Sequence, residues 1–126
     1  MNSVEYPRKN TGFYAQKTDC ETLKVWIEQK DIVLIDVRET HEFEYENIPS
    51  SFLLPLSFLD VCAFPALRNN RIVFVCALGK RSIAALKQVK EIGIKDVFYL
   101  DGGLDAWKNA GFLTQGARFE KSDWSI

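Results

Sequence analysis

Cys76 stands where an apolar run, Ile72-Val73-Phe74-Val75, stops and a polar stretch, Ala77-Leu78-Gly79-Lys80-Arg81-Ser82, begins. The run reads as a buried strand, and a helical pattern starts at Ser82. A thiol in that place faces a glycine-containing loop, two cations and the positive end of a helix. Such a setting favours the thiolate, which is the reactive form. Gly79 lets the loop curl through backbone angles closed to other residues. Unpaired N–H groups at a helix start hold an anion without a dedicated side chain. Lys80 and Arg81 add positive potential, and Arg81 can donate a fork of hydrogen bonds. A thiolate held this way can attack an electrophilic centre and keep the product covalently. With a sulfane-sulfur donor the product is a persulfide, its outer sulfur held by the same N–H groups. A thiol, cyanide or another nucleophile then removes that sulfur, and ping-pong kinetics follow. Without these neighbours a cysteine at a strand end would only pack.

The other candidates read as structural. Cys62 lies in an apolar helix-like stretch, and Cys20 sits in the first turn of a helix, where a thiol could be activated but where chance placement is the simpler reading. His41, the single histidine, reads as a surface or turn residue. Arg38 and Glu42 are four apart, a spacing that suits an ion pair holding the loop. Gly102-Gly103 reads as a tight turn. The three cysteines form neither a C-x-x-C nor a His/Cys cluster, so no disulfide framework, metal site or cofactor is expected.

Elements that would position Cys76 follow from periodicity. A short strand is expected at Phe13-Tyr14-Ala15. Thr18-Asp19-Cys20-Glu21 has the capping-box pattern, with Thr18 as cap, before a helix bearing Leu23, Trp26 and Ile27 on one face. Ile32-Val33-Leu34-Ile35 suits a strand covered on both faces. Asp36 to Ser50 is irregular, with one helical turn near His41-Glu42-Phe43. A short strand at Ser51 to Leu54 stops at Pro55, and a helix over Leu56 to Leu67 is cut by Pro65. The strand into Cys76 precedes a helix with Ala85, Leu86, Val89 and Ile92 on one face, ended by Gly93. Val97 to Leu100 is a last strand, and a helix with Leu104 and Trp107 runs to Gly111. Trp124, in the tail from Arg118, shows no periodicity. Alternating strands and helices imply an α/β sheet with right-handed crossovers, in which ligands bind beyond the carboxyl ends of strands.

The totals narrow the class. A chain of 126 residues fits one domain, and 47% apolar with 26% charged residues suits a globular one. A net charge of −1 with mixed signs and no basic stripe argues against nucleic acid. No apolar run is long enough to span a bilayer, and the N-terminus lacks the apolar centre of a secretion signal. A cytoplasmic location with no membrane contact is expected.

Taken together, Cys76-Ala77-Leu78-Gly79-Lys80-Arg81-Ser82, Asp36-Val37-Arg38, Glu42-Phe43 with Ile48-Pro49, and Asp101-Gly102-Gly103-Leu104-Asp105-Ala106-Trp107 resemble a single-domain rhodanese-like sulfurtransferase. The resemblance covers roughly residues 13–112, with 1–12 as a loosely held extension and 113–126 as a tail. It implies a three-layer α/β fold, a central five-stranded parallel sheet flanked by helices. It implies Cys76 as the sulfur-carrying nucleophile and Ala77, Leu78, Gly79, Lys80, Arg81 and Ser82 as the cradle for a small anionic donor such as thiosulfate. A persulfide-donating protein is an alternative donor, and a thiol or cyanide the acceptor. Asp36, Arg38, Glu42, Gly102 and Gly103 take structural roles. The family usually carries Gly-His before Ile-Pro and Gly-Ala after it; here Glu46-Asn47 and Ser50-Ser51 stand there. Two rival readings are a carrier or partner-binding module without turnover, and a cysteine-dependent phosphatase or arsenate reductase. The latter needs five residues between cysteine and arginine; here there are four, Ala77 to Lys80.

Overall fold

The computed structural model describes residues 3–5, 14–59 and 71–120. Cys62, Pro65, Phe13 and Trp124, with the expectations attached to them, lie outside the described residues. Strands β1 (Ser3–Glu5), β2 (Tyr14–Thr18), β3 (Val33–Asp36), β4 (Phe52–Leu53), β5 (Ile72–Val75) and β6 (Val97–Leu100) form one sheet. Helices α1 (Cys20–Glu28), α2 (Thr40–Tyr45), α3 (Lys80–Glu91) and α4 (Gly103–Asn109) alternate with them, with 3₁₀ turns at Leu56–Phe58 and Ala117–Phe119. The order is β1-β2-β6-β5-β3-β4. Five strands are parallel, as the resemblance implies, and β1 adds antiparallel to β2. The polar N-terminal stretch carried no signal for β1.

All four residues of β5 are buried, which explains its unbroken apolar run: it is the middle parallel strand and is covered on both faces. Side chains alternate between two cores. Ile72, Phe74 and Cys76 share one with Ala85, Leu86 and Val89 of α3. Val73 and Val75 share the other with Leu23, Leu104 and Trp107. Each fully buried Val, Leu, Ile or Phe among them contributes roughly 1.5–3 kcal/mol on burial. This alternation also decides where Cys76 goes. One residue past β5, it falls on the α3 side, at that helix's N-terminus.

Two local expectations shift. Thr18 is not the cap of α1. It ends β2, opposite Leu100, and its carbonyl accepts from the Asp101 N–H at 2.9 Å. The sheet claims its backbone, so Asp19 caps instead, its Oδ1 accepting from the Thr22 N–H at 2.7 Å. The segment from Asp36 to Ser50 is more regular than its polarity suggests, with α2 over six of its residues. The end of α3 agrees with expectation: the N–H groups of Gly93 and Ile94 bond back to Lys90 and Val89.

Ser50 occupies a place that favours glycine. The Ser51 N–H donates to the Ile48 carbonyl at 3.1 Å across Pro49-Ser50, and Ser50 has φ +79°, the pattern of a type II turn. The turn thus survives the Ser50-Ser51 departure, with strain at Ser50. Its side chain is exposed. Ser50→Gly therefore raises unfolding free energy by about 0.5–1 kcal/mol, the relieved left-handed strain being partly offset by a looser unfolded chain. Urea unfolding reads the gain, and a loss of stability would show the turn unstrained.

Candidate active site

The Cys76 sulfur is gripped by the backbone that follows it. Its Sγ accepts from the Gly79 N–H at 3.0 Å and the Ser82 N–H at 3.4 Å. Gly79 holds φ +116°, a conformation side-chain-bearing residues rarely adopt, and this turn aims its N–H at the sulfur. The Ile83 N–H bonds the Gly79 carbonyl, which starts α3 directly above. The sulfur thus meets a small nest of amides at a helix N-terminus. Cys76 is only 1% exposed, so the site admits a narrow reactant.

The other side of the loop is fixed by α4. The Leu104 and Asp105 N–H groups donate to the Cys76 and Ala77 carbonyls at 2.7 and 3.2 Å. Gly103 makes that approach possible: a Cβ there would lie 2.4 Å from the Cys76 carbonyl oxygen and 2.5 Å from that of Ala77. Gly102 ends the turn after β6 and Gly103 opens α4, and Gly103 is also the contact that seats the Cys76 loop.

Asp36 and Arg38 lie buried beside it. Arg38 Nε donates to Asp36 Oδ1 at 3.0 Å and its Nη2 to Oδ2 at 2.8 Å, while Nη2 also reaches the Glu46 carbonyl at 2.6 Å. The expected Arg38–Glu42 pair does not form. Asp36, two residues away and bonded to Arg38's own N–H as well, takes Arg38. Glu42 turns to Arg81, accepting from Nη1 at 2.7 Å and Nη2 at 3.0 Å. It also accepts from the Glu39 N–H at 2.9 Å, at the start of α2. The Arg81 bonds, the Glu39 amide and nearby Arg38 outweigh burial and hold the Glu42 carboxyl at about 2. Pairing with Glu42 correspondingly raises Arg81.

Of the predicted cradle, Gly79 and Ser82 meet the sulfur, Arg81 is engaged by Glu42, and Lys80 is exposed at the helix start. Ala77 and Leu78 instead floor a groove of about 270 Å³ between α2 and α4, walled by Tyr45, Leu104, Asp105 and Lys108. Sequence reasoning missed these wall residues, because nothing local links α2 to α4. His41 is exposed. Cys20 is buried, and burial together with Glu21, Asp19 and Asp101 pushes its thiol up, the reverse of activation. Among the described residues, no group of His, Cys, Asp or Glu could hold a metal, and no helix is long and apolar enough to cross a membrane.

Glu46-Asn47 now has a structural account. Buried Glu46 accepts from Lys108 at 2.9 Å, Thr114 at 2.6 Å and Arg118 at 3.0 Å. Asn47 and Gln115 exchange both backbone bonds, at 2.8 and 2.9 Å. The two residues replacing Gly-His clamp the segment after α4. Burial pushes the Glu46 carboxyl up, but the Thr114, Lys108 and Arg118 bonds outweigh it and bring it from 4.5 to about 2. A depressed carboxyl contributes stability above its unfolded value, lost as pH falls through the folded one. Wild type should therefore lose about 1–2 kcal/mol relative to Glu46→Gln between pH 4.5 and about 2, discounted for its half-exposed cationic partners. Urea titrations at several pH values read this, and parallel curves for the two proteins would refute it.

A model of the rhodanese-like domain matches residues 19–110. The chain belongs to the rhodanese-like domain family. It is 38% identical over 94 residues to the uncharacterised protein slr1261 of Synechocystis, covering 75% of this chain but 52% of that protein. It therefore spans about half the length of that relative. It is 30% identical over 88 residues to the thiosulfate sulfurtransferase GlpE of Coxiella burnetii, covering 68% of this chain and 82% of GlpE. The solution structure of the rhodanese-like domain of Anabaena Alr3790 superposes with a TM-score of 0.74 at 23% identity, over 84% of this chain and 83% of that one, which speaks to fold.

Proposed function

We propose that this rhodanese-like domain is a sulfurtransferase that carries sulfane sulfur on Cys76. The observation supporting this most is the pair of N–H bonds from Gly79 and Ser82 to Sγ, which favour negative charge on that atom. The Cys76 thiolate attacks the outer sulfur of a donor. With thiosulfate the S–S bond breaks, sulfite leaves with the electron pair, and Cys76–S–S⁻ remains. The loop amides stabilise the anionic outer sulfur, and the buried Ser82 hydroxyl, unpartnered among the described residues, is available to it. A thiol or cyanide then attacks the outer sulfur, and the Cys76 thiolate departs with its electrons. Similarity to a thiosulfate sulfurtransferase supports the same reading. The four-residue spacing between Cys76 and Arg81 suits one sulfur atom better than a tetrahedral oxyanion.

Incubation with thiosulfate and, separately, with an alkyl persulfide tests this by intact mass. The protein is expected to gain one sulfur atom, and cyanide or a thiol to remove it. No gain from either donor would overturn the proposal. A gain that no acceptor removes would leave a carrier in its place.

A further inference from the structure

The Arg81–Glu42 pair bears on which donor the site accepts, granted the sulfur-transfer reading of Cys76. Both terminal nitrogens of Arg81 are taken by the two oxygens of Glu42, at 2.7 and 3.0 Å. Glu42 is itself tethered by the Glu39 N–H at 2.9 Å, so the carboxylate is fixed in place. The two side chains are 36% and 28% exposed, too sheltered for water to screen the pair fully. Of the loop's two cations, Arg81 is thus neutralised and Lys80 alone keeps its charge unopposed by Glu42.

We propose that Glu42 sets donor specificity: by holding Arg81 it withholds one positive charge from an incoming donor, turning the site from dianions such as thiosulfate toward alkyl persulfides. Coulomb energy scales with ligand charge, so cancelling a unit charge costs a dianion twice what it costs a monoanion. An alkyl persulfide carries at most one negative charge. It also has a carbon skeleton, and the neighbouring groove offers that skeleton apolar contact. Tyr45 and Leu78 line it at 59% and 68% exposure, with Leu104 beside them. Thiosulfate has nothing to place there. In the step itself the Cys76 thiolate attacks the outer sulfur of R–S–SH. The S–S bond breaks, R–S⁻ leaves with the electron pair, and Cys76–S–SH forms, with no oxidant or reductant consumed.

Sulfur uptake from thiosulfate and from an alkyl persulfide, measured for wild type, Glu42→Gln and Glu42→Asp, tests this. Glu42→Gln keeps an acceptor for the Glu39 N–H but removes the charge. It should raise kcat/KM for thiosulfate about tenfold through KM, and that for the persulfide less than twofold. Glu42→Asp keeps the charge and should keep the wild-type ratio. A ratio unmoved in Glu42→Gln, or moved equally in Glu42→Asp, overturns the proposal. Wild type alone gives an independent readout. Sulfate and methanesulfonate, a dianion and a monoanion of similar size, should inhibit persulfide uptake within about threefold of each other. A sulfate advantage of about tenfold or more overturns the proposal while leaving sulfur transfer intact. Uptake from neither donor removes both.

Discussion

Cys76→Ser should yield a folded protein that takes up no sulfur. Serine retains an oxygen at the position of Sγ, so the Gly79 and Ser82 N–H groups keep an acceptor and the loop keeps its seat. The side chain is slightly smaller, and the thermal midpoint should move by only a few degrees. What disappears is the nucleophile. A hydroxyl does not ionise near neutral pH as a thiol can, and oxygen does not form a stable bond to sulfane sulfur here. Sulfur transfer should fall at least about a thousandfold, with no mass gain from any donor. Residual transfer within tenfold of wild type would move the chemistry to another residue. Cys20 is a poor substitute, because its surroundings hold its proton on.

Asp36→Ala should produce the largest loss of stability among single changes near the site. Asp36 and Arg38 are both buried, and the carboxylate accepts from the Arg38 Nε, Nη2 and backbone N–H. Removing it strands a guanidinium out of water with, among the described residues, only the Glu46 carbonyl left as a hydrogen-bond partner. Stranding one member of a buried pair costs about 3–5 kcal/mol, much more than the pair contributes relative to apolar replacements. The double variant Asp36→Ala, Arg38→Met should recover part of that loss, because no buried charge remains. Urea unfolding of both proteins decides it. A cost under about 1 kcal/mol for Asp36→Ala would show that water reaches Arg38.

These expectations separate two kinds of residue around one sulfur. Cys76, Gly79 and Ser82 make the contacts that the proposed sulfur transfer would use. Asp36, Arg38 and Gly103 hold the strand ends and the loop so that those contacts form. Glu42 belongs to neither group. It reaches from α2 to Arg81 at the start of α3, and on the proposed reading it would couple the choice of donor to α2.

What the sequence determined by itself is what short range decides. The apolar run of β5, the glycine three residues after Cys76 and the helical stripe of α3 specify strand, curl and helix within one short stretch. The α/β alternation fixed the parallel sheet, because parallel neighbours need crossovers, and among the described residues those from β2 to β3, β3 to β4 and β5 to β6 carry helices. Local competition already escaped it: Thr18 and Asp19 are both good caps, and only the ladder to β6 shows that Thr18 is taken. Ser50 stands where the family usually carries glycine, but only the turn shows that it takes a positive φ. Ion-pair partners escaped it altogether. Arg81 meets Glu42 across 39 positions, and Glu46 meets Arg118 across 72, distances at which sequence spacing carries no geometry. Side chains on separate elements become neighbours only when the sheet order and the packing of helices on its two faces are set. Those long-range contacts, Arg81 with Glu42 and Glu46 with Arg118, are what the tertiary structure alone decided.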